Sequence, residues 1–88
     1  MAWSANFDPR ALKELEKLDR MAQRRVVKFL QERVLRRDDP RGLGKAMTGD
    51  KAGLWRYRVG DYRLICHIDD EAQSVRVLRL AHRKEAHR

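Results

Sequence analysis

The sequence is poor in cysteine and in long apolar runs, and each absence excludes a class of protein. Its one cysteine, Cys66, cannot form an intrachain disulfide, so a disulfide-stapled secreted module is excluded. The apolar runs are a few residues long, far below the roughly 20 residues that span a bilayer. The segment MAWSANFDPR lacks the basic start and apolar stretch of a secretory signal. We therefore expect a cytoplasmic protein that does not bind membranes.

Signatures of cofactor, metal and nucleophilic sites are missing as well. The glycines between residues 41 and 53 precede a strand pattern rather than a helix, unlike those of a phosphate-binding loop. Cys66 and His67 are adjacent in a strand pattern and point to opposite faces, and nothing has the spacing of a zinc site. Ser4 and Ser74 have no evident base beside them. We expect no cofactor and no metal, with Cys66 in the core and His67 structural or at the surface.

Positive charge is what the sequence has in excess. Its 88 residues include 21 Lys and Arg against 13 Asp and Glu, which gives a net charge of +8. A field of this sign attracts polyanions, and nucleic acid is the usual one. Charge alone leaves two alternatives open: a solvated basic surface with no specific ligand, or a chain that pairs with an acidic protein.

The first half of the chain has helical spacing. Residues 2–7 are compatible with a short strand, and Asp8-Pro9 is a good helix start. Asp19 is placed to cap a second helix, which gives a helical hairpin, although the spacing also permits one continuous helix. Asp-Asp-Pro at 38–40 ends the helical segment. The apolar residues at helical spacing are Leu12, Leu15 and Leu18, then Ala22, Val26, Phe29, Leu30 and Val34.

The second half changes to the alternation of strands. Residues 41–53 form a predicted loop, and strands follow over 55–59, 62–68 and 74–81, closely spaced as in an antiparallel meander. The predicted fold class is α+β, in the order βααβββ, with the helical hairpin packed on a small antiparallel sheet. One domain is expected over residues 1–88.

Basic side chains in and after the strands suggest phosphate chemistry. Arginine holds phosphate with a planar fork of donors, and histidine transfers protons near neutral pH. Together they suit the cleavage of a phosphodiester bond, whereas the alternative is a set of solvated edge and terminal groups. The candidates are Arg56 and Arg58 on one strand face, Arg63 after the turn, His82 and Arg83 at the last strand's end, and His87 beyond it.

Two stretches carry a resemblance to a known family: WRYRVGDYRLIC at 55–66 and VLRLAHRKEAHR at 77–88. FDPRALKELEKLD at 7–19 is similar to the first helix of that family, and GLGKAMTGDKAGLWRYR at 42–58 to its central loop. On these residues the sequence resembles the RelE/ParE superfamily, the toxins of type II toxin–antitoxin systems. The resemblance covers nearly the whole chain and implies the same βααβββ fold, which has the shape of microbial ribonucleases.

The RelE-like branch implies an endoribonuclease that cleaves mRNA in the ribosomal A site and so inhibits translation. Its cleavage needs no metal or cofactor, and its partners are mRNA, the ribosome and a cognate acidic antitoxin. ParE-like toxins share the fold but inhibit DNA gyrase, and a catalytically inactive RNA-binding relative is the other alternative. The HRKEAH tail favours the RelE-like branch, because ParE-like chains often lose the basic and aromatic or histidine pair there.

The resemblance also implies roles for the basic residues. Arg56 and Arg58 match paired basic strand residues that are often lysines in the family, and with Lys84 they are expected to bind RNA phosphates. Arg63 matches the arginine after a tyrosine, and Arg83 matches the arginine of the HRxxxY-like tail. Both are expected to be catalytic and exposed.

The same resemblance implies that a residue of the C-terminal stretch transfers the proton. His87 stands where the family commonly has tyrosine, and His82 is the second candidate acid or base. Arginine at 56 and 58, in place of lysine, argues against proton uptake on that strand, because arginine stays charged.

Replacement of His87 tests this assignment. If its imidazole transfers a proton, His87→Gln slows single-turnover cleavage by about 10²–10⁴-fold, the usual contribution of a positioned acid or base. Ribosome binding stays nearly unchanged, because the loss belongs to the transition state. His87→Tyr restores the residue common in the family and retains more activity than the Gln variant. Rapid-quench cleavage of ribosome-bound mRNA measures this, and a Gln variant as fast as the parent would shift the role to His82.

Overall fold

Two aspartates start the two helices, as the sequence predicts. In the computed structural model, which describes residues 3–84, the carboxylate of Asp8 caps α1 (Pro9–Glu16) and that of Asp19 caps α2 (Arg20–Phe29). The Asp19 carboxylate accepts a hydrogen bond from the backbone N–H of Ala22 at 2.7 Å. Because α1 ends at Glu16 and α2 begins at Arg20 with its own cap, the structure confirms a helical hairpin rather than one continuous helix.

The second helix ends in a wider turn. Beyond Phe29 the chain continues as a π-helical turn over Leu30–Val34, in which the N–H of Leu35 donates to the carbonyl of Leu30 at 2.9 Å. Both Leu30 and Val34 are buried. The helical segment thus ends ahead of the predicted stop at 38–40, and short 3₁₀ turns follow at Pro40–Gly42 and Gly49–Lys51.

A five-stranded sheet completes the α+β fold. Its spatial order is β1-β5-β4-β3-β2, and β3, β4 and β5 form the predicted antiparallel meander. The strands are β1 (Ser4–Phe7), β2 (Lys45–Ala46), β3 (Trp55–Val59), β4 (Tyr62–Asp69) and β5 (Ser74–His82).

The sheet differs from the predicted antiparallel sheet in two details. It is mixed, because β1 pairs in parallel with β5, from Ser4 opposite Ser74 to Phe7 opposite Val77. It also has a fifth strand, because two residues of the predicted loop, Lys45 and Ala46, pair with β3. Whether β1 pairs in parallel or antiparallel with a distant strand leaves no signal in the sequence of either strand. A strand of two residues, such as β2, is too short to show the alternation of buried and exposed side chains.

Buried side chains from both helices and from one sheet face form the core. At its centre the Tyr57 hydroxyl donates to the carbonyl of Pro40 at 2.7 Å, and its ring meets that of Phe29 edge-on. Cys66 is fully buried, as predicted, and burial raises the pKa of its thiol to about 12. The core consists of Ala11, Leu15, Val26, Leu30, Val34, Tyr57, Val59, Leu64, Cys66, Ile68, Val75, Val77 and Leu80.

The buried face of α1 differs from the one that the spacing of Leu12, Leu15 and Leu18 predicts. Ala11 and Leu15, one helical turn apart, are buried against the sheet, whereas Leu12 is 44% exposed. Within residues 3–84, no helix is both long and apolar enough to cross a bilayer.

Gly44 lies where the loop after the helices comes closest to β3. Its φ is +78°, and a Cβ there would lie 2.3 Å from the carbonyl oxygen of Arg56 and 2.7 Å from Trp55 Nε1. The same Trp55 Nε1 donates to the carbonyl of Leu43 at 2.6 Å, so the loop is held against the strand on both sides of this contact. Only glycine satisfies both the backbone conformation and the space.

Gly44→Ala is expected to lower the free energy of unfolding by about 3 kcal/mol, because it adds backbone strain to a clash with β3. Gly49→Ala is the matched control: Gly49 also has a left-handed φ, +69°, but nothing lies near its Cβ position. That change should cost about 1 kcal/mol. Urea unfolding of both variants measures the two losses in the free energy of unfolding, and its slope against urea concentration is compared between the variants. Equal losses would show that the close approach of Gly44 to β3 does not matter for stability.

Candidate functional site

The β3–β4 hairpin brings three of the candidate arginines together. Arg58 and Arg63 are direct cross-strand partners, and Arg56 lies two residues further along β3. Since side chains alternate along a strand, and Tyr57 and Val59 are buried against the helices, these arginines project from the opposite, open face.

Arg83 joins them from the end of β5. Its backbone N–H donates to the carbonyl of Asp61 at 2.7 Å, which holds the end of β5 beside the hairpin turn. We call Arg56, Arg58, Arg63 and Arg83 the arginine cluster. A cavity of about 380 Å³ opens beside it, lined by Arg58, Gly60, Asp61, Tyr62, Arg63, Arg83 and Lys84.

Within the cluster, Arg63 is the arginine whose positive charge its surroundings disfavour. It is half-buried rather than exposed, unlike Arg83, which is exposed as expected. Its Nε is buried and has no hydrogen-bond partner among the residues described. Burial, together with the charges of Arg56, Arg58 and Arg83, lowers the pKa of the Arg63 guanidinium. An anion at this place would supply the missing acceptor and relieve the repulsion.

Carboxylates do not neutralise the cluster within the described part of the chain. The ion pairs found there lie elsewhere and join Arg41 to Asp39 and Asp70, Arg76 to Asp8, and Arg79 to Glu14. The cluster is therefore a concentrated positive site with a donor fork suited to phosphate.

The structure does not bring His82 to the arginine cluster. His82 is opposite Tyr62, and the two rings meet edge-on with centroids 5.5 Å apart. Because Tyr62 precedes Arg63 in the strand, His82 lies on the other face of the sheet from Arg63. Its Nδ1 accepts a hydrogen bond from the N–H of Lys84 at 3.3 Å. His87 lies outside the described residues.

A second, larger cavity was not anticipated from the sequence. It has a volume of about 840 Å³ and lies between α2 with its π-helical turn, the loop around Gly44, and β3. Its basic residues include Arg25, Lys28 and Arg33. The clustering of basic residues in 20–33 was a visible signal, but which of them face the sheet edge depends on how the helix packs.

Metal binding has no support in the described residues. Across residues 3–84, no group of three or more His, Cys, Asp or Glu side chains is arranged to hold a metal ion.

Fold and site together define a class: a small α+β protein with a helical hairpin on one face of a mixed sheet and clustered arginines on the other. The family described as the ParE toxin of type II toxin–antitoxin systems, parDE, matches residues 5–87. The chain belongs to this family and is a type II toxin, which confirms the resemblance to the RelE/ParE superfamily.

Individual relatives are RelE-like proteins. Toxin RelG of Mycobacterium tuberculosis is 34% identical over 88 residues, covering 100% of this chain and 99% of the relative. The RelBE2 toxin–antitoxin complex of the same organism has a chain with a TM-score of 0.84 and 33% identity, over 93% of this chain and 99% of that one. The archaeal RelE–RelB complex of Pyrococcus horikoshii has a chain with a TM-score of 0.66 and 26% identity, over 94% and 97%.

Proposed function

We propose that this toxin is an endoribonuclease that cleaves mRNA in the ribosomal A site and thereby inhibits translation. The observation that carries the proposal is the arginine cluster, in which the buried Nε of Arg63 lacks an acceptor and four guanidinium groups lie together without a carboxylate partner among the described residues. A phosphodiester group undergoing cleavage carries the negative charge that such a site would stabilise. The similarity to RelG and RelE toxins supports the same branch.

The proposed reaction is an internal transesterification of RNA. The ribose 2′-hydroxyl loses its proton and attacks the adjacent phosphorus. A new P–O2′ bond forms, the P–O5′ bond breaks, and the 5′-oxygen leaves with a proton. Arg63 and Arg83 would stabilise charge on the phosphoryl oxygens, where preorganised donors contribute about 3–4 kcal/mol each. Arg56, Arg58 and Lys84 would hold the flanking phosphates.

Proton transfer is assigned to the tail. His87 is the first candidate for the acid or base and His82 the second. The ring of His82 packs against Tyr62 on the other face of the sheet, which supports this order. The ribosome would position the mRNA and so supply part of the rate by holding the 2′-oxygen in line with phosphorus.

Inhibition of DNA gyrase is the second candidate function. The observation that favours it is the family match itself, because the matching family is that of the ParE toxin. The arginine cluster does not by itself distinguish the two functions, whereas the cellular damage that each would cause does.

Induced expression in a bacterial host separates the two. We expect protein synthesis to stop while DNA supercoiling stays normal, and primer extension to show mRNA cuts within translated frames. Arg63→Ala and Arg83→Ala should each remove most of the toxicity, because each deletes a phosphate donor, without unfolding the domain. Arg76→Ala is the control: it removes an exposed arginine of β5 that is paired with Asp8 outside the cluster, so cleavage should persist. Intact mRNA together with DNA double-strand breaks would instead assign the toxin to gyrase.

We also propose that an acidic, amphipathic segment of a cognate antitoxin covers the surface formed by Arg56, Arg58 and Arg63. The net charge of +8 and the guanidinium groups that have no ion-pair partner among residues 3–84 favour an acidic partner. Half-buried Ile65 lies opposite Arg56 and offers apolar surface next to the charge, as an amphipathic segment requires. The RelBE2 and the RelE–RelB structures are, by their own description, toxin–antitoxin complexes.

Co-expression with the antitoxin should restore growth and raise the soluble yield. The double variant Arg56→Glu/Arg58→Glu should then lose the antitoxin during affinity purification, because it places carboxylates against an acidic segment. Lys51→Glu, an exposed charge reversal in the 3₁₀ turn that precedes β3 and outside the arginine cluster, should retain it. Equal retention by both variants would place the antitoxin on another surface.

A further inference from the structure

The cavity between α2 and β3, which we call the helix–strand groove, is lined by cations from three separate segments. Arg25, Lys28 and Arg33 come from α2 and its π-helical turn, and Lys45 comes from β2. Arg56 and Arg58 come from β3, whose pairing with β2 stops at Arg56, so the groove and the open face meet at this edge of the sheet. Glu32 is the one acidic residue among the described residues that line the groove. Within residues 3–84 none of these six cations has an ion-pair partner, because the four ion pairs found there lie outside the groove.

The groove is continuous with the cavity beside the arginine cluster. Arg58 and Gly60 line both cavities. The guanidinium of Arg25 lies over Gly60: its Nη2 is 3.2 Å from the position that a Cβ on Gly60 would occupy. Gly60 therefore leaves room for a cation at the junction, and a chain of phosphates can pass from one cavity to the other along Arg58 and Arg25.

The groove also carries apolar surface among its cations. Phe29 and Leu43, both half-buried, line its walls. Single-stranded RNA presents phosphates and unpaired bases together, whereas a duplex presents its phosphates and hides the base faces. The mixture of cations and apolar side chains therefore fits a single strand better than a duplex.

We propose that the helix–strand groove binds the single-stranded RNA that continues from the bond held at the arginine cluster. This inference rests on the proposed ribonuclease function and extends it by giving the substrate strand a second binding region. Arg25 and Arg33 would contact phosphates of this strand, and Phe29 would contact a base. The large exposed apolar side chains, Leu12, Met21 and Val27, do not line the groove, so its surface suits a polyanion better than an apolar protein helix.

Salt-dependent binding of an RNA that cannot be cleaved tests the proposal. The probes are fluorescent 2′-O-methyl RNAs of about 4 and about 12 nucleotides, within the range of sites that proteins offer to single strands. The purified full chain should bind the longer RNA more tightly. Arg25→Ala/Arg33→Ala should remove most of that gain and reduce the slope of log K against log salt by about 1.4, since each phosphate contact with a single strand contributes about 0.7.

The matched control is Arg24→Ala/Arg36→Ala, which removes the same charge from two exposed positions outside the groove, one in α2 and one in the turn that follows Val34. This control should bind the longer RNA more tightly than the shorter one by as much as the parent does, with the same slope of log K against log salt. Equal losses in both double variants, or no loss in the groove variant, would overturn the proposal.

RNA binding by the Arg63→Ala variant, together with assays of mRNA cleavage, distinguishes a failure of the groove proposal from a failure of the proposed ribonuclease function. Loss of short-RNA binding in Arg63→Ala, together with an unchanged length-dependent gain in the groove variant, would refute the groove and leave the ribonuclease standing. A groove-dependent gain in the parent without any cleavage of ribosome-bound mRNA would support RNA binding in the groove and refute the ribonuclease.

Discussion

The pairing of β3 with β4 is the constraint on which both the core and the site depend. A two-residue turn joins Val59 to Tyr62, and Gly60, at a φ of +58°, adopts the backbone conformation that such a turn requires. This register sends Tyr57 to the helices and Arg58 to the open face. A slip of one residue would exchange the two faces, placing guanidinium groups in the core and the tyrosine in water. Core stability and the arginine cluster therefore come from one hydrogen-bonded ladder.

Ion pairing is distributed unevenly over the fold. Arg76 with Asp8, the cap of α1, and Arg79 with Glu14, within α1, tie β5 to the first helix. Burial raises the pKa of Glu14, but the hydrogen bonds from Arg79 and from the N–H of Leu80 outweigh it and leave that pKa below its ordinary value. Charge is thus compensated where it holds elements together. It is left uncompensated at Arg63, where neighbouring arginines repel one another and where a bound anion gains the most.

Local signals in the sequence were sufficient for both helices, for the antiparallel meander and for the strand face that carries Arg56 and Arg58. The caps at Asp8 and Asp19 and the alternation from residue 55 onward each depend on neighbours in the chain, and the structure agrees with them. Features set by distant packing were not predictable. These include the parallel pairing of β1, the exposure of Leu12 and the groove beneath α2, since each depends on how a helix is rotated or a strand is docked. His82 shows the same limit: the resemblance singles out the residue, but the register decides which face receives it.

The partnership of the first strand with the last has a consequence for biosynthesis. β1 is synthesised before both helices and the other strands, yet its hydrogen-bonding partner, β5, follows all of them in the chain. Arg83, which completes the cluster, follows β5 directly. Long-range strand pairing is slow to form because a large loop must close first. The sheet and the cluster can therefore assemble only after β5 and Arg83 have emerged, so a translating ribosome carries an unassembled toxin until both helices and all the strands described here have been made.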